Sequence, residues 1–333
     1  MKTEEIARVP RTIEWSRLIN RASGQYYLFS LLLLAIVVVI NAQLQENFFT
    51  PRAMNGLLRT VLPSLLLAVG QAIVVIGGGI DLSVGAIVTM VNVILVTQMG
   101  ADATAAEVWR AVAIGLLAGI AAGAVNGAAV AFLRFQPLVT TFATTSIFSG
   151  IAVWVLPSPG GAVPSAFMSI YRWDLAGIIL PVWIILFLLL AWTFVRNTKF
   201  GRFLYASGGQ PISAYMSAVP VNWIRFTTYV ISGFMSALTG LAITMSIGTG
   251  SALIGLDMTM SSIVAVVLGG TALSGGMGGV FGTMIGVFII TIIRNVISFA
   301  NVPSWYQVLV NGLIVMFALA GPGLIDLIRR RRV

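Results

Sequence analysis

The sequence predicts an all-α polytopic membrane protein with about ten transmembrane helices. Of its 333 residues, 58% are hydrophobic and only 9% are charged, whereas a soluble domain usually carries about 25% charged residues. Apolar stretches of about twenty residues, the length of a helix that crosses a bilayer, recur along the chain. Lysine and arginine collect between these stretches and at both ends. We therefore expect one transmembrane domain, 26–325, between an N-terminal arm, 1–25, and a basic tail, 326–333.

Ten apolar stretches are candidate membrane spans. They cover residues 26–42, 58–79, 84–99, 110–133, 138–156, 176–195, 225–247, 258–273, 280–299 and 305–325. The third and the eighth are short for a crossing helix. Eight crossings with two re-entrant segments is therefore the alternative.

Positive charges predict the orientation, because lysine and arginine are preferentially kept in cytoplasmic loops. With ten spans, most of the 19 Lys and Arg residues fall on one side, in the N-terminal arm, the loop after the sixth span and the tail. Both termini are therefore expected in the cytoplasm. The net charge of +9 is spread over loops and ends, and it does not indicate a nucleic-acid partner.

The composition excludes several kinds of chemistry. Without cysteine or histidine, the chain lacks disulfides, thiolate metal sites and the usual zinc and general-base groups. It also lacks the Gly-x-x-x-x-Gly-Lys-Ser/Thr loop that binds nucleotide phosphates. We expect no metal and no cofactor on this chain.

Two short motifs suggest an internal repeat. "GGIDLSVG" (78–85) and "GGTALSGG" (269–276) share Gly-Gly-x-x-Leu-Ser-x-Gly, and each follows an apolar run. Many transporters are built from repeats whose helices break at corresponding positions. Ten spans place both breaks on the cytoplasmic side and imply parallel repeats, whereas one re-entrant break implies inverted repeats.

Asp81, in the first of these motifs, has two interpretations. Its carboxylate can cap the following helix, accepting hydrogen bonds from the N–H groups near Ser83 and Val84. Alternatively, it faces a translocation path as a substrate or proton site. Its counterpart in the second motif is Ala272, so that symmetric use of both repeats is not expected.

The loop 196–224 is too polar to cross a membrane. "TKFGRFLYA" predicts a short amphipathic helix that ends at Gly208 and Gly209, and a second short helix follows Pro211 with Tyr215 and Met216 exposed. The pair either lies on the lipid surface or docks on a cytoplasmic partner.

Four stretches give the chain a family resemblance. "VGQAIVVIGGGIDLSVGAIV", "TKFGRFLYASGGQP", "YVISGFMSALTGLA" and "SSIVAVVLGGTALSGGMGGVFGTMIGVFI" resemble, in that order, the ribose-type permeases of bacterial ABC sugar importers. The resemblance implies a permease in the bacterial inner membrane that pairs with a second permease, of the same or another sequence. It also implies two ATP-binding subunits, which hold ATP and magnesium, and a periplasmic sugar-binding protein.

The resemblance further implies that the loop 196–224 couples the permease to the ATP-binding subunits. The coupling residues it predicts are Thr198, Phe200, Gly201, Arg202, Tyr205, Ala206, Gly208, Gly209, Pro211 and Ser217. The chain departs from the family at Gln210, where Asn is usual, and before the second motif, where it keeps only Asp257 of the usual acidic pattern. The loop 155–167 is unusually rich in proline. These departures would suit one half of a heteromeric pair.

A neutral sugar would require hydroxyl and amide partners in the path. The candidates are Gln71, Asp81, Ser83, Asn92, Asn126, Gln136, Thr140, Thr144 and Asn295, with Phe142 and Phe148 as apolar contacts. Polar residues in spans also join helices by hydrogen bonds. Arg294 is expected to reach the interface or backbone carbonyls rather than solute.

Three other functions compete with an importer. An ion-coupled secondary transporter would use Asp81 as its coupling charge and would need no ATPase. A membrane enzyme lacks support, because the spans offer no acid–base pair or metal cluster besides Asp81. A membrane scaffold that does not transport is disfavoured, because it would not need the glycine breaks or the long loop.

Overall fold

The computed structural model describes residues 28–299 and five positions of the last apolar stretch, Tyr306, Leu309, Gly312, Leu313 and Met316. The predicted N-terminal arm, the basic tail and all other residues of the tenth span lie outside the described residues.

Residues 28–299 form twelve helices and one short hairpin. The helices are α1 Leu28–Leu44, α2 Pro51–Ile76, α3 Val84–Gln98, α4 Ala105–Ala131, α5 Pro137–Val155, α6 Ser165–Arg172, α7 Leu180–Asn197, α8 Lys199–Gly209, α9 Pro211–Met216, α10 Val221–Ile247, α11 Met258–Leu268 and α12 Val280–Phe299. The antiparallel hairpin pairs β1 Asp174–Leu175 with β2 Ile178–Ile179. Because the hairpin occupies residues 174–179, the sixth predicted span begins only at Leu180.

Six of these helices, α2, α4, α5, α7, α10 and α12, are long and apolar enough to cross a membrane. The helices α1, α3 and α11 are shorter apolar helices. At 1.5 Å per residue, α3 and α11 extend only about 22 Å and 17 Å, short of a hydrocarbon core of about 30 Å. A polytopic helical membrane protein is thus confirmed within the described residues, but ten full crossings are not.

The boundaries of the long helices follow from local chemistry. Pro51 occupies the first turn of α2 after Thr50, whose hydroxyl accepts a hydrogen bond from Ala53 N. At α4, Thr104 and Glu107 form a reciprocal capping box. Each cap satisfies amide groups that a helix leaves unpaired at its start.

The helices α2 and α10 form the centre of the bundle. In α2, 78% of the most apolar window is buried, whereas in α7 only 17% is. The central α10 packs against α2, α3 and α4. A β-carbon added at Gly123 of α4 would lie 2.3 Å from the carbonyl oxygen of Tyr229, and the facing residue in α10 is Gly233. Glycine therefore lets the two backbones approach, as is common for helices packed in lipid.

The two glycine motifs end their helices in the same way. Gly77 and Gly269 have φ of −71° and −72°, and Gly78 and Gly270 have φ of +82° and +81°, a conformation that favours glycine. The motifs also touch, because Gly276 N donates to the carbonyl oxygen of Ile76 at 2.9 Å. Both breaks thus lie at one end of the bundle, which we call the glycine end.

The helix α3 begins inside the bundle rather than at its surface. The Asp81 carboxylate lies at the level of Ser232 in α10, and further along α3 the Asn92 side chain reaches Thr244. The helix α3 therefore runs alongside α10 from mid-bundle toward the end opposite the glycine end. The helix α11 also starts in the interior, where Gly255 packs on Gly85.

The first loop helix ends at the predicted glycine pair, because α8 runs Lys199–Gly209 and Gln210 follows it as the cap. Gly208 and Gly209 also lie against the backbone of Gly276. The second predicted helix, after Pro211, is present as α9.

Candidate functional site

Asp81 is fully buried and holds the start of α3. Its Oδ1 accepts hydrogen bonds from the amide N and the hydroxyl of Ser83, at 2.9 Å and 2.7 Å, and its Oδ2 accepts one from the Ser232 hydroxyl at 3.0 Å. Ser83 precedes the first residue of α3. The bond from Ser83 N is one of the two that the capping interpretation expected, whereas no bond from Val84 N is present among the described residues. Sequence reasoning missed the bond from Ser232.

A buried polar network extends from this carboxylate to α4 and α5. Asn126 Nδ2 donates to the Ser83 hydroxyl at 2.7 Å, and the Thr144 hydroxyl donates to Asn126 Oδ1 at 2.7 Å. Four predicted path residues, Asp81, Ser83, Asn126 and Thr144, thus come together although they come from three segments of the chain. All four are buried, so that the network fixes α3 relative to α4, α5 and α10.

Two threonines of α5 bind the segment before α3 and were also missed. Leu82 N donates to the Thr141 hydroxyl, and the Thr145 hydroxyl donates to Leu82 O, both at 3.0 Å. Their helical spacing, four residues apart, was visible in the sequence. Nothing there indicated the unpaired backbone groups of Leu82 that they satisfy.

Two threonine hydroxyls join the interior starts of α3 and α11. Gly85 N donates to Thr259 Oγ1, and Gly255 N donates to Thr89 Oγ1, both at 3.0 Å. A β-carbon at Gly85 would lie 2.2 Å from the carbonyl oxygen of Gly255. The two broken helices therefore meet backbone to backbone inside the bundle.

Asn92 ties α3 to the connection between α10 and α11. Its Nδ2 donates to Thr244 Oγ1 at 2.8 Å and to Thr249 O at 3.3 Å, and its Oδ1 accepts from Ser251 N at 3.0 Å. The amide is thereby bonded to protein on both sides.

The other predicted path residues lie apart from this network. Gln71 is buried, and its amide atoms have no hydrogen-bond partner among the described residues. Thr140 is buried and bonds to the carbonyl oxygen of Gln136, which is itself exposed before α5. Phe148 is buried, whereas Phe142 is 66% exposed on the outside of the bundle.

Asn295 also lies away from Asp81, at the end of the bundle opposite the glycine end. Its Nδ2 lies 3.4 Å from Gln45 Oε1, and together with Arg294 it lines a cavity of about 400 Å³. Arg294 donates to the Ser261 hydroxyl rather than to a backbone carbonyl.

Helix α8 is fixed to both glycine motifs. A β-carbon at Gly208 would lie 1.8 Å from the Ile76 carbonyl oxygen and 2.7 Å from Gly276 N. The Tyr205 hydroxyl donates to the carbonyl oxygen of Gly278 at 2.7 Å. Burial raises the pKa of the Tyr205 phenol above its usual value, so that it remains a donor. A displacement of α8 must therefore move the motif that follows α11 and the end of α2.

The remaining predicted coupling residues shape α8 and α9. Thr198 precedes α8, and its hydroxyl accepts from Gly201 N at 3.4 Å. Gly201 is buried, and a β-carbon there would lie 2.4 Å from Val195 O. Arg202 is exposed and donates to Asn197 O at 3.0 Å. The others are Phe200 and Ala206, which pack on buried clusters, Pro211, which begins α9, and Ser217, which follows it.

An apolar surface stands out on α9, at the glycine end. Ile212, Tyr215 and Met216 are 81%, 72% and 80% exposed. The sequence predicted the exposure of Tyr215 and Met216 and missed Ile212. Because α9 is too short to be a crossing helix, these side chains form a separate surface on the loop.

Long apolar helices around two helices that begin inside the bundle define a polytopic membrane protein of the kind that builds transport paths. A family model described as "branched-chain amino acid transport system / permease component" matches residues 53–319. Because this match covers well over half of the chain, the protein belongs to that family of transport permeases.

Curated relatives support the same assignment over nearly their full lengths. The chain is 31% identical over 323 residues to the ribose import permease protein RbsC of Bacillus subtilis, covering 96% of this chain and 98% of the relative. It is 30% identical over 296 residues to the ribose import permease protein RbsC of Haemophilus influenzae, covering 87% and 91%. It is 33% identical over 310 residues to the L-arabinose ABC transporter permease protein AraH of Azospirillum brasilense, covering 91% and 87%.

Proposed function

We propose that the chain is the permease subunit of an ATP-binding-cassette importer that moves a neutral monosaccharide or a similar small polyol. The relatives named for import of ribose and transport of L-arabinose support this substrate class. The sequence has no phosphate-binding loop. Energy from ATP must therefore reach this chain through contact with other subunits.

The partners follow from this function. They are two ATP-binding subunits, which carry ATP and magnesium, a second permease subunit of the same or another sequence, and a periplasmic sugar-binding protein. This chain itself binds no metal or cofactor, and it hydrolyses no ATP.

The glycine end faces the cytoplasm of a bacterial inner membrane in this proposal. Lysine and arginine favour that side. The loops at the glycine end carry Arg134, Arg196, Lys199, Arg202 and Arg225, and the opposite end carries Arg52, Arg59, Arg110 and Arg172. The arm and the tail add further positive charge on the same side if both termini are cytoplasmic.

The observation that carries the proposal is the attachment of α8 to both glycine motifs through Gly208, Gly276 and Ile76. An ATP-binding subunit that grips Ile212, Tyr215 and Met216 would move α8 together with the ends of α2 and α11. Packed elements of this kind switch between discrete arrangements rather than deforming gradually. The interior starts of α3 and α11 are the points at which such a switch would open or close a path.

The polar residues predicted from the sequence are retained as the proposed path, although Gln136 is exposed in this arrangement. They are Gln71, Asp81, Ser83, Asn92, Asn126, Gln136, Thr140, Thr144 and Asn295. Those of the Asp81 network are bonded to one another in this arrangement, so that they would contact solute only after the helices move.

Co-purification tests the proposal. The tagged chain is expressed with its neighbouring genes, and the ATP-binding subunit that stays bound is quantified. Tyr215→Asp is expected to reduce the bound subunit about tenfold or more, because a charge replaces an apolar anchor at the centre of a contact surface. Leu175→Asp, an exposed apolar residue at the opposite end, is the matched control and should change nothing.

Two results would contradict the importer. One is that no protein with a phosphate-binding loop accompanies the unaltered chain. The other is that solute uptake into vesicles proceeds without ATP and collapses with the ion gradient, which would favour the ion-coupled alternative.

A further inference from the structure

A cavity beside Arg294 lies outside the Asp81 network and has a partly polar lining. It has a volume of about 400 Å³ and is enclosed by the end of α1, the first half of α2 and the last turns of α12. Its polar lining consists of Gln45, Thr60, Ser64, Thr291, Arg294 and Asn295. Binding sites for small molecules commonly have volumes of about 300–1,000 Å³.

The cavity continues inward past the Arg294 side chain. A smaller cavity shares Ser64, Thr291 and Arg294 with the first and is lined further in by Ser261 and Met258 of α11. Arg294 thus stands where an open polar cavity narrows toward the interior start of α11. A solute that enters from the end opposite the glycine end would reach this side chain before it reached the start of α11.

The Arg294 guanidinium has spare capacity to donate hydrogen bonds. One terminal nitrogen donates to the Ser261 hydroxyl at 2.5 Å, whereas Nε is buried and has no partner among the described residues. A guanidinium has five N–H donors, and a buried donor without an acceptor costs stability. A terminal N–H group that does not bond to Ser261 can donate to an oxygen atom of a solute in the cavity.

The charge balance favours a neutral solute. The Asp257 carboxylate is close enough to attract the Arg294 guanidinium electrostatically, although the two form no salt bridge. This attraction offsets part of the positive charge of Arg294, so that an anion gains less there than beside a lone arginine. Hydroxyl groups of the solute can pair with Ser64 and Asn295, and Phe48 and Phe299 offer apolar contacts.

We propose that this cavity is a solute-binding site of the permease itself, which takes a neutral polyhydroxylated molecule of monosaccharide size and holds one of its oxygen atoms against the Arg294 guanidinium. The proposal rests on the proposed transport function and assigns it a place in the fold. Asn295 then contacts solute, as the sequence predicted. Arg294 also contacts solute, although the sequence analysis expected it to reach the membrane interface or backbone carbonyls.

The absence of cysteine makes the cavity testable by single-cysteine labelling. Thr60→Cys places one thiol on the exposed wall of the cavity, and Asp102→Cys places one in an exposed loop away from it. The full-length chain in lipid nanodiscs is labelled with a charged, membrane-impermeant thiol reagent in the presence of D-ribose, L-arabinose or D-glucose. We expect at least one of these aldoses to slow labelling of Thr60→Cys several-fold and to leave Asp102→Cys unaffected.

Arg294 is tested in the same background. Adding Arg294→Gln to Thr60→Cys should raise the sugar concentration needed for half-protection about tenfold, the effect expected from losing one charged hydrogen bond. Arg294→Lys should retain part of the protection, because it keeps a positive donor but loses the planar fork. If Arg294→Gln does not yield folded protein, the protection measured with Arg294→Lys tests the role of Arg294.

Three results would overturn the site. They are no labelling of Thr60→Cys at all, no protection by any of the three aldoses, and protection that is the same with and without the Arg294 substitutions. Each leaves the co-purification of an ATP-binding subunit untouched, so that failure of this site and failure of the importer function are distinguishable.

Discussion

Asp81 shows how a buried carboxylate is held without a positively charged partner. Its hydrogen bonds come from a backbone N–H and two hydroxyl groups. They provide the local dipoles that a buried carboxyl group requires, and the start of α3 adds its own positive end. Two of the three donors belong to Ser83, which lies two residues away. The sequence alone therefore contained most of this arrangement.

Replacing Asp81 tests whether it mainly secures the fold. In Asp81→Ala the three donors remain buried without an acceptor, and each such loss costs about 1–3 kcal/mol. We expect the free energy of unfolding to fall by about 3 kcal/mol or more, seen as a clearly lower thermal midpoint in detergent at a fixed heating rate. Asp81→Asn, which keeps an acceptor oxygen for Ser83, should lose less.

The exposed Asp102 supplies the control for this measurement. Asp102→Ala removes a carboxylate from a surface loop, and its thermal midpoint should match that of the unaltered chain. A midpoint for Asp81→Ala equal to that of Asp102→Ala would contradict the structural role.

At the scale of elements, the sequence predicted the helix breaks at the glycine motifs but not the packing of α3 and α11. Their shared spacing predicted a repeat, and a helix ends at each with the same pair of glycine conformations. The structure matches Gly77 and Gly78 to Gly269 and Gly270, however, one residue out of the predicted alignment. The meeting of α3 with α11 could not be predicted, because Gly85 and Thr259 are 174 residues apart in sequence. A contact of that kind depends on the packing of the whole bundle rather than on a local pattern.

Alanine substitutions at two neighbouring glycines of α8 distinguish the effect of backbone contact from the effect of helix propensity. Gly208→Ala would place a β-carbon 1.8 Å from the Ile76 carbonyl oxygen, so that α8 must move away from the motifs. Gly209→Ala would place one 3.6 Å from the α-carbon of Gly276, an ordinary contact. Alanine favours a helix over glycine by about 1 kcal/mol, and Gly209→Ala should therefore be neutral or slightly stabilising.

The two variants are expected to differ in transport as well as in stability. Gly208→Ala should lower the thermal midpoint and the ATP-driven uptake of the assembled importer, and Gly209→Ala should preserve both. Equal behaviour of the two alanine variants would mean that α8 is not held to Ile76 and Gly276 as described.

At the scale of the whole molecule, composition predicted a polytopic helical membrane protein but not the arrangement of its helices. The low content of charged residues and the recurring apolar stretches predicted a polytopic helical protein. The same stretches gave no sign that α2 and α10 would be central or that α7 would be mostly exposed. Hydropathy is nearly the same for these three helices, at 1.8, 1.7 and 1.8, because lipid and protein interior both select apolar residues.

The orientation of the bundle is the property on which the proposed partners depend, since ATP-binding subunits must meet α9 in the cytoplasm. Ser213→Cys in α9 and Asp102→Cys at the opposite end each introduce a single thiol at an exposed position of a chain that has none. In intact spheroplasts, a membrane-impermeant thiol reagent should label Asp102→Cys and not Ser213→Cys. After the membrane is permeabilised it should label both, which shows that Ser213→Cys is reactive when accessible. Labelling of Ser213→Cys from outside would place α9 outside the cell, where no cytoplasmic ATPase could reach it. It would also place most of the positively charged loops outside, against the usual preference.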